Sequence, residues 1–157
     1  MMRIGQGIDI HPFDPERPLV LGGVRIADRE GLAGHSDADA LLHAVTDALL
    51  GAIGAGDIGT YFPSDDPRWA GAASALFAGE ALRLVHERGW AIENLDITLV
   101  AQRPKLAPHR EAMRHSVAGL LGISVDAVSV KATTTDHLGF IGRSEGLAAF
   151  AIVLLRS

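Results

Sequence analysis

The chain has 157 residues, 48% hydrophobic and 21% charged, which suits one compact domain, residues 1–157, with a core of its own. It has no cysteine, which excludes a disulfide scaffold and thiolate metal ligation, so any zinc site must use histidine and carboxylate. A net charge of −5 argues against nucleic acid as a partner, no apolar stretch suits a membrane span, and no secretory signal is visible, so a cytoplasmic protein is expected.

In chain order, residues 3–10 and 19–26 read as strands, with Pro12, Pro15 and Pro18 marking a loop between them. Ser36-Asp37-Ala38-Asp39 matches a capping box with Ser36 as N-cap, and the spacing of Leu41, Leu42, Val45 and Leu49 predicts a helix that begins just after His35. Asp57 to Asp66 reads as a loop. A second helix fits 74–88, with Leu76, Phe77, Ala81, Leu84 and Val85 as its buried stripe. Residues 94–101 alternate as a half-buried strand, a proline-rich loop covers 103–108, and a third helix runs over about 108–121 to Gly122. Strands follow at 128–131 and 147–155. Interleaved helices with hairpin-like first and last strand pairs predict an α+β fold, a mixed sheet with helices on one face. The final strand shows almost no polar alternation, so both its faces should be covered, by a helix or by another subunit.

Chemistry gathers at a few places. Asp9 and His11, at i and i+2 of a strand, point to the same side and could grip one metal. Asp39, His43 and Asp47 share one face of the first helix. Asp9, His11 and His43 together form the two-nitrogen, one-carboxylate set of catalytic zinc sites, with Asp47 placed to accept the other imidazole N–H. His35 and Ser36 stand where a helix N-terminus could hold phosphate. Lys131 to Asp136 ends a strand with Thr133, Thr134, Thr135 and a carboxylate, suited to a diphosphate and its cation, and Phe140 and Arg143 follow in a glycine-rich loop. Ala101 to Ala107, with Lys105, is a stiff loop whose backbone amides could read a base edge. The residues alone also admit a zinc-dependent nucleotide-diphosphate hydrolase, or a non-catalytic isoprenoid-binding trimer.

The motifs Asp9-x-His11, His35-Ser36-Asp37-x-Asp39, Thr46-Asp47-Ala48-Leu49-Leu50-Gly51, Asp57-Ile58-Gly59, Arg103-Pro104-Lys105 and Lys131-Ala132-Thr133-Thr134 jointly resemble the methylerythritol cyclodiphosphate synthase family, from Arg3 to the end of the chain. The resemblance implies a homotrimer with active sites between subunits. It also implies metal-assisted intramolecular phosphoryl transfer that turns 4-diphosphocytidyl-2-C-methyl-D-erythritol 2-phosphate into the cyclic 2,4-diphosphate and CMP. By the same resemblance Asp9, His11 and His43 are zinc ligands, His35 and Thr134 stabilise the transition state, and Asp57, Ile58 and Gly59 contact the polyol. Asp9, His11, Ser36, Phe62 and Asp66 also belong to the implied substrate site. Ala101, Lys105, Leu106, Ala107, Ala132, Thr133, Thr135 and Asp136 fall at the cytidine-diphosphate site, with Phe140 and Arg143 beside it. Magnesium, or manganese, falls to Asp136. An isoprenoid ligand on the trimer axis is left open. Two positions depart from the family pattern: Asp136 stands where Glu is usual, and Ser64 follows Phe62-Pro63 where Asp is usual.

Overall fold

A computed structural model describes residues 1–157. A five-stranded mixed sheet has the order β4-β1-β7-β5-β6. Its centre is β7 (Gly146–Arg156), paired antiparallel with β1 (Met2–Asp14) on one side and with β5 (Ala91–Val100) on the other. On the outside, β6 (Val128–Thr133) runs parallel to β5, and β4 (Gly31–Leu32) caps the far end of β1. Between β1 and β4 a separate hairpin joins β2 (Leu19–Leu21) to β3 (Val24–Ala27). Three long helices, α1 (Ala40–Ala52), α3 (Ser74–Glu87) and α4 (Arg110–Leu121), supply the helical layer, and two single turns, α2 (Ile58–Tyr61) and α5 (Gly139–Gly142), lie in loops. The architecture is the expected α+β fold, and no helix is long and apolar enough to cross a membrane.

Backbone contact sets the distance between sheet and helix. A Cβ on Gly7 would lie 1.8 Å from the Ala44 carbonyl oxygen, and one on Gly5 would lie 1.9 Å from that of Ala48. Two glycines on one face of β1 therefore let α1 rest directly on the strand, with alanines filling the seam. Leu147, Ala149, Ala151, Val153 and Leu155 of β7 face the same helix and are fully buried. The other sheet face is different. Ile4, Ile8 and Ile10 of β1 and Ile152 of β7 are 42–70% exposed there. The apolar final strand is thus covered by α1 on one face, while the other face is left partly bare around Ile152.

Four expectations are corrected. First, β1 does not stop before Pro12. Phe13 N–H donates to Glu145 O just ahead of β7, so Pro12, one residue earlier, turns its missing donor the other way, where its carbonyl accepts from Ala33 N–H and β4 pairs only from Phe13 onward. Second, 19–26 is a hairpin, because Gly22 and Gly23 both adopt positive φ (63° and 75°) in its tight turn. Third, Ser36 is not the N-cap. Asp39 is: its carboxylate accepts from Leu42 N–H and also from the Gly22 and Gly23 N–H groups of the hairpin turn. That group is fully buried, and burial pushes it up to about 6 despite three N–H donors. The helix N-terminus is therefore filled by a protein carboxylate, and a phosphate at Ser36 would not sit on the helix axis. Fourth, Leu76 is 59% exposed, and the first turn of α3 buries Ser74, Phe77 and Ala78 instead.

Candidate active site

Because α1 lies so close to β1, His43 comes down beside Asp9 and His11. Their ligand atoms lie within 4.8 Å of one another: Asp9 Oδ2 is 2.8 Å from His11 Nε2 and 3.4 Å from His43 Nδ1. The far nitrogens are tied back. His11 Nδ1 is 2.6 Å from Ala33 O, which can only accept, so Nδ1 carries the proton and Nε2 presents a lone pair. His43 Nε2 lies 2.8 Å from Ser74 Oγ and 3.2 Å from Ser36 Oγ. Asp9 Oδ2 is buried and accepts no well-directed hydrogen bond. Three lone pairs aimed at one point, one of them on an orphaned buried carboxylate, fit a divalent cation.

Asp47, expected behind His43, is not there. Its Oδ1 accepts from Ile58 N–H at 2.7 Å and so pins α2 to α1. Burial raises its pKa against that hydrogen bond.

Without a metal, these groups share protons. Burial raises the Asp9 carboxyl, but the neighbouring His11 and His43 outweigh burial and hold it below the usual range. The Asp9 carboxylate raises the His11 pKa. The pair therefore stabilises the metal-free fold below the ordinary histidine pKa, and that contribution is lost as pH rises through the raised value. The same proton must leave before a metal can bind. Metal affinity of the stripped protein is thus expected to climb with pH across and above the ordinary histidine pKa of about 6.5. Chelator competition at several pH values reads this, and a flat profile would contradict it.

His11, His35, Ser36, His43, Ile58, Gly59 and Phe62 line one cavity of about 220 Å³ with Pro63, Ser64, Trp69 and Phe77. Arg17 shapes its rim by donating to Gly34 O and Ser36 O, both at 2.5 Å. His35 Nδ1 is buried and has no partner. Asp57 caps α2 through Thr60 N–H at 3.0 Å, so the Asp57-Ile58-Gly59 turn forms one wall. The opposite wall is aromatic: Phe62 and Phe77 centroids are 4.5 Å apart, with Trp69 edge-on to both. Trp69 and Phe77 were missed as site residues, Phe77 because its helical spacing already explained it as core. Asp66 turns instead to Arg68 at 2.6 Å and is not among the residues lining that cavity.

A second cavity, about 180 Å³, opens between the β5 and β6 ends and is lined by Ala101, Lys105, Leu106, Ala107, Ala132, Thr133 and Thr134 together with Gln102 and Pro104. Thr135 Oγ1 donates to Leu138 O, and Asp136 and His137 follow at positive φ, held by His137 N–H on Gln102 Oε1 at 2.9 Å. Asp136, Phe140 and Arg143 are exposed and line neither cavity; Arg143 pairs with Glu145 at 2.8 Å. No residue lines both cavities.

Residues 2–156 match the profile of the YgbB family. The chain is 54% identical over 156 residues to the 2-C-methyl-D-erythritol 2,4-cyclodiphosphate synthase of Thermosynechococcus vestitus, which covers 99% of this chain and 97% of that one. The bifunctional IspDF from Campylobacter jejuni superposes with a TM-score of 0.96 at 44% identity, over 99% of this chain and 42% of that longer one. A 2C-methyl-D-erythritol-2,4-cyclodiphosphate synthase in its CDP-bound form superposes with a TM-score of 0.90 at 43% identity, over 98% of this chain and 100% of that one.

Proposed function

The chain belongs to the YgbB family, whose relatives are 2-C-methyl-D-erythritol 2,4-cyclodiphosphate synthases of non-mevalonate isoprenoid biosynthesis, and on that premise we propose how its two cavities divide the reaction. The substrate is 4-diphosphocytidyl-2-C-methyl-D-erythritol 2-phosphate, and the products are the cyclic diphosphate and CMP. The carrying observation is the convergence of Asp9, His11 and His43 on one point at the head of a cavity. Zinc held there supplies a Lewis acid for charge developing on the β-phosphate. Around it, His35 offers a ring nitrogen without a protein partner to a phosphate oxygen, and the α2 turn at Asp57, Ile58 and Gly59 binds the polyol hydroxyls. The aromatic wall keeps water from the reacting phosphorus. In the second cavity the Ala101 to Ala107 backbone reads cytosine, while Thr133 and Thr134 gather the diphosphate, with Thr135 next to them outside the lining. Asp136 would hold magnesium, or manganese, and its shorter reach than Glu is compatible with binding through water.

No protein nucleophile is required. The 2-phosphate oxygen attacks the β-phosphorus, the bond from that phosphorus to the bridging oxygen of CMP breaks, and the enzyme's task is to hold phosphate groups together against their repulsion. Bond breakage without water makes the activity a phosphorus-oxygen lyase. In ¹⁸O-labelled water the expected result is an unlabelled cyclic product formed with CMP. Label in a linear phosphorylated polyol, with no cyclic species, would replace this reading with hydrolysis.

We further propose a homotrimer with the sites at its subunit boundaries. Support comes from the isoleucine face of β1 and β7, which the chain leaves bare, and from a substrate that has to bridge two cavities with no shared lining. The same faces turned inward would line an apolar axis suited to an isoprenoid ligand. Light scattering should give about three subunit masses; an active monomer would contradict the shared site.

A further inference from the structure

His11 and His43 are oriented in different ways. A backbone carbonyl, Ala33 O, fixes the tautomer of His11 whatever the neighbouring side chains do. His43 depends on a chain of side chains. Its Nε2 meets Ser74 Oγ at 2.8 Å, and Ser74 Oγ meets Asp37 Oδ1 in a short hydrogen bond. A hydroxyl can donate or accept toward an imidazole, so Ser74 by itself would leave the tautomer of His43 undecided.

Asp37 decides it. Its Oδ2 accepts from Ser74 N–H at 3.1 Å, and its Oδ1 accepts from Asp39 N–H at 3.1 Å as well as from the Ser74 hydroxyl. The carboxylate offers acceptors only, so the Ser74 proton points to Asp37 and a lone pair of Ser74 Oγ faces His43. Nε2 must then carry the imidazole proton, and Nδ1 is left bare toward Asp9. Ser74 is fully buried at the start of α3 and Ser36 nearly so, which keeps water from substituting for either partner.

We propose that Ser74 and Asp37 are positioning residues that hold His43 in the Nε2–H tautomer and so set the affinity of the Asp9-His11-His43 centre for its metal. The proposal rests on the metal-centre reading above. It assigns a purpose to Asp37 and to Ser74, the first residue of α3, neither of which lines the cavity. Coupling through Ser74 also explains why α3 begins where it does: Ala73 caps it with no side-chain hydrogen bond, and the Asp37 carboxylate receives the first free N–H instead.

The test compares Ser74→Ala and Asp37→Asn with the parent protein, using Asp9→Ala as the reference for loss of the centre. In Asp37→Asn the single amide oxygen can serve either the Ser74 N–H or the Asp39 N–H and Ser74 hydroxyl together, not both sides at once. The chain loses its fixed direction, and the His43 proton is no longer confined to Nε2. Zinc and cobalt affinities measured by chelator competition should fall by about 10- to 100-fold in both variants. Nitrogen-15 spectra of the metal-free proteins at about pH 8, above the ordinary imidazole value of about 6.5, should show His43 as the Nε2–H form in the parent and shifted toward Nδ1–H in Asp37→Asn. A purely structural role would move stability without moving the tautomer. Parent-like affinity and tautomer in both variants, with metal lost in Asp9→Ala, would overturn the proposal while leaving the metal centre intact. Full metal retention in Asp9→Ala would overturn the centre itself.

Discussion

Asp9→Ala should strip the protein of tightly bound metal and lower turnover by about 10³-fold or more while the chain still folds. The magnitude follows from removing a Lewis acid worth several kcal/mol of transition-state charge stabilisation, at about 1.4 kcal/mol per factor of ten. Asp9 is the only carboxylate of the three ligands, and its Oδ2 is the atom both histidines approach, at 2.8 Å and 3.4 Å. Two neutral imidazoles without it offer a divalent cation neither charge balance nor a third donor. The fold should survive because Asp9 lies opposite Ala149 in the β1–β7 ladder, whose backbone pairing does not depend on the side chain. Metal analysis after dialysis, turnover and far-ultraviolet circular dichroism together read the result. A variant that keeps its metal and loses activity would move the chemistry elsewhere in the cavity; one that keeps both would dismiss the centre.

Strand and helix periodicity placed Asp9 and His11 on one side of β1 and His43 on one face of α1, but the distance between those faces was invisible to periodicity. It depends on Gly5 and Gly7 opposing Ala44 and Ala48, a small-residue match that can be read only once the two elements are known to pack together. The cap of α1 was misread for a related reason. Ser36, Asp37 and Asp39 are all capping residues by type, and Asp39 wins because its carboxylate also serves Gly22 and Gly23, distant in sequence. Asp47 went wrong in the same way: a helix face says which residues are neighbours along one helix, not which loop reaches over them, and here Ile58 does. Leu76 shows the limit of a hydrophobic stripe, since the first turn of α3 turns Ser74 to His43 and leaves Leu76 beside Tyr61 and Trp69 at the surface. The two loops that line the second cavity were found by composition and resemblance together; Gln102 carried no signal in either, because its role is to hold the backbone of His137.

Gly7→Ala should be strongly destabilising. The new Cβ would fall 1.8 Å from the Ala44 carbonyl oxygen and 2.8 Å from Ala48 N, both backbone atoms of α1 that no side-chain rotation can move aside. The helix must lift off β1, and Leu41, Val45 and Leu49, all fully buried, lose close packing with it. Overpacking of this kind costs about 3 kcal/mol or more, which for a domain of this size lowers Tm by about 6–12 °C. His43 travels with α1 while Asp9 and His11 stay on β1, so metal affinity should fall together with stability, although position 7 touches no ligand atom. Gly79→Ala supplies the opposite sign. Nothing lies within 4 Å of a Cβ there, and an alanine in the middle of α3 should stabilise by about 0.5–1 kcal/mol. Melting curves of both metal-free variants, with chelator competition on each, decide the matter. An unchanged Tm in Gly7→Ala would mean that α1 does not rest on the strand backbone, and the geometry that brings the three ligands together would have to be abandoned with it.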